Sequence, residues 1–298
     1  MRVLVFGAGG VGGYLGAKLS LVDGVDVELV ARGKHLDAMR SEGLKLIDNG
    51  KESQARARVI DSNSLSGVYD LVLITVKSTD LDGAIASVAG HISDKSVIIP
   101  VMNGVDNAQR VQSQIKNARV LNGCIYIISN IKSAGVVEKK GNIFKLCWGD
   151  KNIDSLESIS GLFSKAGFRH KLTQNIELEI WRKFLFISPM AMMTSYYSLD
   201  MSEIYSQKFD ELKEAMRELV TVANALGVEL TSEDIQKNLT QASKVQKGAK
   251  TSMQLDIENG KPFEIDSLGG FVVEEARRNG LKTPLFERFY QSLNSLNR

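Results

Sequence analysis

Apolar positions run unbroken through Val3-Leu4-Val5-Phe6, then fall at helical spacing through Tyr14, Leu15, Ala17 and Leu19, with Gly7-Ala8-Gly9-Gly10-Val11-Gly12 between them. The change of period predicts a strand, a turn and a helix in that order. A second unbroken run, Tyr69 to Val76, has the character of a strand covered on both faces of a parallel sheet. Helical spacing follows over Asp80 to Ala89, a strand over Ser96 to Val101 that ends at Asn103-Gly104, and a helix from about Asp106 to Ile115. Stretches 119–129, 134–138 and 143–148 read as β-like, and Lys45 to Ile60 as irregular or hairpin structure. Asp154 to Ala166 reads as a helix stopped by Gly167, and Phe168 to Leu172 as the last strand.

From Gln174 onward the periodic segments are long and helical. Phe209, Leu212, Met216, Leu219, Val220, Ala223 and Leu226 form one amphipathic stripe that stops at Gly227, and Thr283-Pro284 predicts a capped helix start with proline in the first turn. The expected fold is therefore α/β: a Rossmann-type doubly wound sheet over residues 1–172, followed by an all-α domain over 173–298.

The glycine segment has the order and spacing of a dinucleotide phosphate cradle. Gly7 permits the tight turn, Gly9 lets the backbone approach a pyrophosphate, and Gly12 allows close strand–helix packing. The helix N-terminus adds N–H donors and a partial positive charge. Gly7, Ala8, Gly9, Gly10, Val11 and Gly12 are thus candidate cofactor-binding residues, against the alternative of an ordinary glycine-rich turn. Arg32 follows the second strand, Val27-Glu28-Leu29-Val30. An acid there would repel a 2′-phosphate, whereas a guanidinium pairs with it bidentately and Lys34 adds a second charge, so NADPH is the expected cofactor, against the alternative that Arg32 is a solvated strand-end residue. Glu28 lies inside the strand and is a poor candidate for a ribose contact.

Composition narrows the classes. With 43% hydrophobic and 24% charged residues the chain reads as an ordinary soluble globular protein. A net charge of +2 with interspersed signs argues against a nucleic-acid surface. No apolar run is long enough to span a bilayer and residues 1–20 lack a signal peptide's features, so a cytoplasmic protein is expected. Cys124 and Cys147 read as buried small hydrophobes in a reducing compartment, and no metal site is indicated.

In an open parallel sheet, ligands gather beyond the carboxyl ends of the strands. Lys77 and Asn103 occupy such ends, so Asn103 is a candidate for the nicotinamide and substrate and Lys77 for the cofactor and an anionic substrate, against loop-stabilising roles for both. Reduction of a carbonyl requires a proton donor beside the oxygen as well as a hydride. His35, His91 and His170 are poorly placed for that task. A lysine leads, since its proton is easier to give up when apolar neighbours desolvate the ammonium. Lys183 lies in the apolar helical run Ile176 to Ile187, with Ile180 and Ile187 on its face, against the alternative of a snorkelling lysine or one neutralised by a structural glutamate. Glu264, before a helix expected to be capped by Asp266, is its expected partner, against a simple helix N-terminal charge.

Gly7–Gly12 with Arg32, Val76-Lys77, Asn103-Gly104, Trp181-Arg182-Lys183, Ser252-Met253 with Asp256, and Glu264-Ile265-Asp266, in this order and spacing, resemble the ketopantoate reductase family, the NADPH-dependent 2-dehydropantoate 2-reductases. The resemblance implies a Rossmann domain followed by a helical domain, with the active site between them. It implies Lys183 as general acid, Glu264 as the substrate-orienting acid, Asn103 near nicotinamide and substrate, Ser252 as the hydroxyl that binds the substrate carboxylate, and Lys77 as the strand-end lysine.

The chain departs from the fullest family pattern where asparagines stand four and eight residues after the lysine. Here those positions are Ile187 and Ala191. Pro189 is expected to interrupt the helix and shift its register, with Ser188 or Thr194 supplying the missing polar function. The implied activity is reduction of 2-dehydropantoate to pantoate for pantothenate and coenzyme A synthesis. A related reductase of branched or aromatic 2-keto acids is the alternative, motivated by Ile187 and Ala191, and a non-catalytic NADPH-binding sensor is a third reading. The expected partner is a small 2-keto acid. Met190, Met192, Met193, Tyr196 and Tyr197 suit either a core, the favoured use, or a homodimer contact.

Overall fold

A computed structural model describes residues 1–296. By internal contacts the chain separates into two compact units: Met1–Met102 with Asp106–Ile176, and Asn103–Val105 with the residues from Glu177 onward.

The first unit alternates strand and helix: β1 (Arg2–Phe6), α1 (Gly10–Leu19), β2 (Asp26–Val30), α2 (Gly33–Glu42), β3 (Lys45–Asp48), β4 (Lys51–Gln54), β5 (Arg58–Ile60), β6 (Leu71–Ile74), α3 (Leu81–Val88), β7 (Val97–Pro100), α4 (Asn107–Gln114), β8 (Arg119–Val120), β9 (Asn122–Ser133), β10 (Val136–Gly149), α5 (Glu157–Lys165) and β11 (His170–Leu172). Six strands form one parallel sheet in the order β5-β2-β1-β6-β7-β8. Its strands are continuous apolar runs because both faces are covered: Val3, Leu4, Val5, Leu71, Val72, Leu73 and Ile74 have no exposed surface. The order of strands reverses at β1, with β2 on one side and β6 on the other, and this switch lies where the glycine turn leaves the sheet.

A second sheet, β11-β10-β3-β4 with β9 also paired to β10, completes this unit. The stretches at 119–129, 134–138 and 143–148 belong largely to one long hairpin, β9–β10, whose register shifts between Lys139 and Phe144. Lys45 to Ile60 holds the β3–β4 hairpin and then β5 at the edge of the parallel sheet. Cys124 and Cys147 are buried and face one another in the β9–β10 register.

The second unit is helical, without a strand among the described residues: α6 (Ile176–Tyr197, whose first residue belongs to the first unit), α7 (Met201–Gln207), α8 (Phe209–Ala225), α9 (Ser232–Ala242), α10 (Ser252–Glu258), α11 (Phe271–Arg278) and α12 (Pro284–Asn294). Three local expectations are corrected. Pro189 does not interrupt its helix; α6 runs unbroken through it, so 183, 187 and 191 keep helical register. Packing overrides the lost N–H: Phe184 and Leu185 before the proline, and Met190, Met192 and Met193 after it, are buried in the core.

Thr283 makes no side-chain cap; the Glu218 carboxylate of α8 instead accepts the N–H groups of Leu285 and Phe286 at 2.9 and 3.1 Å. Asp266 is not a cap either. It opens a single π-helical turn, Asp266–Gly270, and accepts the Tyr290 hydroxyl at 2.8 Å. Among the described residues no helix is long and apolar enough to cross a membrane, and no group of three or more His, Cys, Asp or Glu side chains could hold a metal ion.

Candidate active site

At the end of β1 the backbone turns at Gly7, whose φ of +109° suits glycine alone, and a Cβ there would meet Val76 Cγ1 at 2.8 Å. The Gly9 N–H donates to the Gly7 carbonyl at 2.8 Å, and Thr75 Oγ1 at the end of β6 donates to the same oxygen at 2.8 Å. A Cβ on Gly12 would press on that carbonyl and on Thr75 Oγ1, closer than any real contact. Gly10 is equally tight against the Ser129 main chain, and Ser129 Oγ donates to the Gly10 carbonyl at 2.8 Å. Gly9 differs, because a Cβ there would meet nothing within 4 Å.

The turn is thus held from beneath and on one flank while its Gly9 side stays open. The first turn of α1 carries no side-chain cap and no acidic residue, so its leading N–H groups have no partner inside the helix. Open space at Gly9, uncapped donors and the positive end of a helix dipole fit the diphosphate of a dinucleotide. Ala8 is buried and contributes its carbonyl to the scaffold, and Val11 packs on the core beneath.

His35, unsuited by sequence position to proton transfer, supports this turn. Its Nδ1 accepts the Gly135 N–H at 3.0 Å, which leaves the hydrogen on Nε2 to donate to the Ala8 carbonyl at 2.9 Å. Burial holds its pKa below the ordinary imidazole value despite the opposing effect of the Ala8 carbonyl. Arg32 stands at the N-cap of α2 and donates through both terminal nitrogens to Asp80, at 2.9 and 3.4 Å. Lys34 is exposed nearby in sequence, and Lys77 is half-buried at the start of the 3-10 turn Ser78–Asp80. Glu28 is buried in β2 and engaged by Tyr69, Arg58 and Arg2.

In the second unit Lys183 is only 8% exposed, on a helix shared with Trp181, Phe184 and Leu185. Its Nζ donates to Asn103 Oδ1 at 2.9 Å. Asn103, which follows β7 in the chain, belongs by contacts to this unit, as does Val105, which packs on the helical core. The hydrogen bond joins two residues that the sequence proposes separately. Glu264 is buried beside the π-helical turn, its carbonyl accepting the Leu268 N–H at 3.1 Å. Ser252 is exposed in the first turn of α10, whose N-cap Thr251 accepts the Gln254 N–H. Next to Lys183, Arg182 Nε donates at 2.8 Å to Asp234, itself part of the Thr231 capping box of α9.

Ile187 is half-buried and Ala191 buried at the positions four and eight beyond the lysine. Neither proposed substitute for the missing amides is available. Ser188 is fully buried and donates to the Leu268 carbonyl at 2.6 Å, and Thr194 is fully buried against Ala191 O and Thr251 Oγ1. Sequence reasoning also missed Thr75, Asp80, His35 and Ser129. Thr75 and Asp80 flank Lys77 and were open to discovery as strand-end residues. His35 and Ser129 reach the glycine turn from 27 and 119 residues away, with no local signal.

Residues 3–151 match the family description "Ketopantoate reductase PanE/ApbA", and residues 175–297 match "Ketopantoate reductase PanE/ApbA C terminal". A relative from Bacillus subtilis (strain 168), named "Uncharacterized oxidoreductase YkpB", is 30% identical over 98% of each chain. The 2-dehydropantoate 2-reductase of Mesorhizobium japonicum is 29% identical over 96% of this chain and 95% of its own. The crystal structure of a PanE/ApbA family ketopantoate reductase from Ralstonia eutropha JMP134 superposes with a TM-score of 0.91 at 25% identity, over 100% of this chain and 98% of that one. With the two family matches together spanning most of the chain, the ranges that contain the glycine turn and the buried lysine included, the chain belongs to the ketopantoate reductase family of oxidoreductases.

Proposed function

We propose that the protein is an NADPH-dependent reductase that converts 2-dehydropantoate to pantoate, in the cytoplasmic supply of pantothenate and coenzyme A. The observation that carries this reading is the Lys183 ammonium, buried in an apolar helix and hydrogen-bonded to the Asn103 amide. Such an ammonium is a preoriented proton source. When bound, NADPH supplies the hydride for the keto carbon. Lys183 passes its proton to the carbonyl oxygen as that oxygen becomes negative, so one hydride and one proton together make the alcohol. Asn103 fixes the direction of the Nζ–H bonds, Glu264 orients lysine and substrate, and Ser252 and Lys77 bind the substrate carboxylate. Gly7 to Gly12 receive the diphosphate, and Arg32 the 2′-phosphate.

A second reading keeps the machinery and changes the substrate. Ile187 and Ala191 offer no hydrogen bond at two consecutive turns beyond Lys183, which favours a branched or aromatic 2-keto acid without a hydroxyl to satisfy. One assay separates the two: NADPH absorbance with 2-dehydropantoate and with 2-ketoisocaproate, on the wild type and on Lys183→Ala. The first reading expects faster turnover on 2-dehydropantoate, with loss of about 10²–10⁴-fold in kcat in the variant. Preference for 2-ketoisocaproate replaces it with the second reading. Near-normal turnover in Lys183→Ala removes the proton-donor role from both, and no substrate-dependent oxidation of NADPH leaves a binding protein.

A further inference from the structure

Arg32 follows β2 and Asp80 follows β6, the two neighbours of β1 in the sheet. Their ion pair therefore passes across the carboxyl end of β1, the strand that delivers Gly7–Gly12. Both terminal nitrogens of Arg32 engage the two oxygens of a single carboxylate, at 2.9 and 3.4 Å. This is the bidentate fork that a phosphate monoester would use.

The two partners are held very differently. The Arg32 side chain is 84% exposed and that of Asp80 35%. The main chain of Asp80 is anchored in the 3-10 turn, its N–H donating to the Lys77 carbonyl at 2.9 Å, and its side chain makes no cap to α3. A solvent-open pair of this kind is weak, so a doubly charged ligand group is able to displace it. Displacement nonetheless leaves the anchored carboxylate beside the incoming phosphate, and like charges there oppose binding. An unphosphorylated ribose meets the reverse situation, because its 2′-hydroxyl is a donor for which a carboxylate is a good acceptor.

Resting on the dinucleotide reading above, we propose that Asp80 is a cofactor-specificity residue that engages the fork of Arg32, opposes the 2′-phosphate and accepts the 2′-hydroxyl, so that this chain discriminates only modestly between 2′-phosphorylated and unphosphorylated adenine dinucleotides. The carboxylate acts on the same ribose position as Arg32 and Lys34, with opposite sign. Sequence alone, which places both cations and no acid at the end of β2, points to a stronger preference than the pair allows.

Calorimetric titration of the full chain with 2′-phospho-ADP-ribose and with ADP-ribose tests this without turnover. Asp80→Asn keeps the shape of the side chain and removes no helix cap. It should shift the ratio of the two dissociation constants toward the phosphorylated probe by about tenfold, the effect of removing one unit charge near a dianion at the protein surface. In an Arg32→Ala background the same substitution should still shift the ratio toward the phosphorylated probe, because the carboxylate opposes the phosphate directly, but by less than with Arg32 present, since a fork no longer exists to be released. An unchanged or opposite ratio in Asp80→Asn, or an equal shift with and without Arg32, overturns the inference while leaving the dinucleotide reading in place. Failure of the wild type to bind either probe overturns both.

Discussion

The two units present chemistry by opposite means. Around Gly7–Gly12 the groups that suit a ligand are main-chain N–H donors, and the turn exists because Cβ atoms are missing where Gly7, Gly10 and Gly12 meet Val76, Ser129 and Thr75. In the helical unit the candidate group is a side-chain cation, 8% exposed, whose named acceptor lies 80 residues earlier in the chain. A main-chain site is written in short-range sequence, because only glycine tolerates the contacts. A buried side-chain site depends on desolvation and on a distant partner, so it is set by tertiary structure.

The glycines offer the largest test of that contrast. In Gly12→Ala the new methyl meets the Gly7 carbonyl and Thr75, and a carbonyl on a tight turn has no room to yield. Thermal unfolding should report a loss of about 3 kcal/mol, the upper part of the range for overpacking, and ADP-ribose binding should disappear. Gly9→Ala should do the reverse. Its φ of −73° suits alanine and its Cβ meets nothing within 4 Å, so stability should hold within about 0.5 kcal/mol. ADP-ribose affinity should nevertheless fall by about tenfold, as expected if a methyl displaces about one backbone–phosphate hydrogen bond. Unaltered binding in Gly9→Ala would mean that the open side of the turn is not a ligand surface.

A smaller effect is expected in the second unit. Asn103→Ala removes one acceptor from the Lys183 ammonium, and a hydrogen bond to a charged group contributes about 1.5–3 kcal/mol. Urea unfolding can be followed unit by unit, because Trp148 lies in the first and Trp181 in the second. In a Trp148→Phe background the Trp181 transition should move to lower urea. A rise in stability would show that Asn103 strains the lysine rather than holding it.

How much of this was legible follows from the range of each cause. The parallel strands and the glycine turn were readable because burial on both faces and the absence of Cβ atoms are local. The β9–β10 hairpin read as fragments because Lys139-Lys140-Gly141-Asn142, at its register shift, breaks the apolar alternation. Pro189 read as an interruption because propensity ignores a helix buried on both sides of the proline. The last helix was found, but its cap was misassigned to Thr283, since nothing near position 283 announces Glu218. Lys183 stood out as a cation in an apolar run, whereas its bond to Asn103 required the fold. His35 was set aside as an acid or base, and its service to the Ala8 carbonyl has no sequence signature.

The smallest effect, a dependence on pH, divides the units by sign. All three histidines lie in the first unit. Burial lowers the pKa of His35 and of His170 below the ordinary 6.5, outweighing the carbonyls of Ala8 and Ser160. Between the lowered values and 6.5 the unfolded chain binds more protons than the folded one, so this contribution is whole above 6.5 and is lost as pH falls through it. The slope is at most about 1.4 kcal/mol per pH unit for each histidine. Glu218 in the second unit acts the other way. Burial raises its carboxyl above the ordinary 4.5 even though two N–H groups oppose the shift, so its contribution is present at low pH and lost as pH rises through the raised value. Urea midpoints at pH 7.5, 6.5 and 5.5 should therefore fall for Trp148 in a Trp181→Phe background, and hold or rise for Trp181 in Trp148→Phe. His35→Gln, which keeps a donor for Ala8, should flatten the first trend in part. A parallel fall of both transitions would mean that the two units unfold as one, and the separation of main-chain from side-chain site would then have no thermodynamic counterpart.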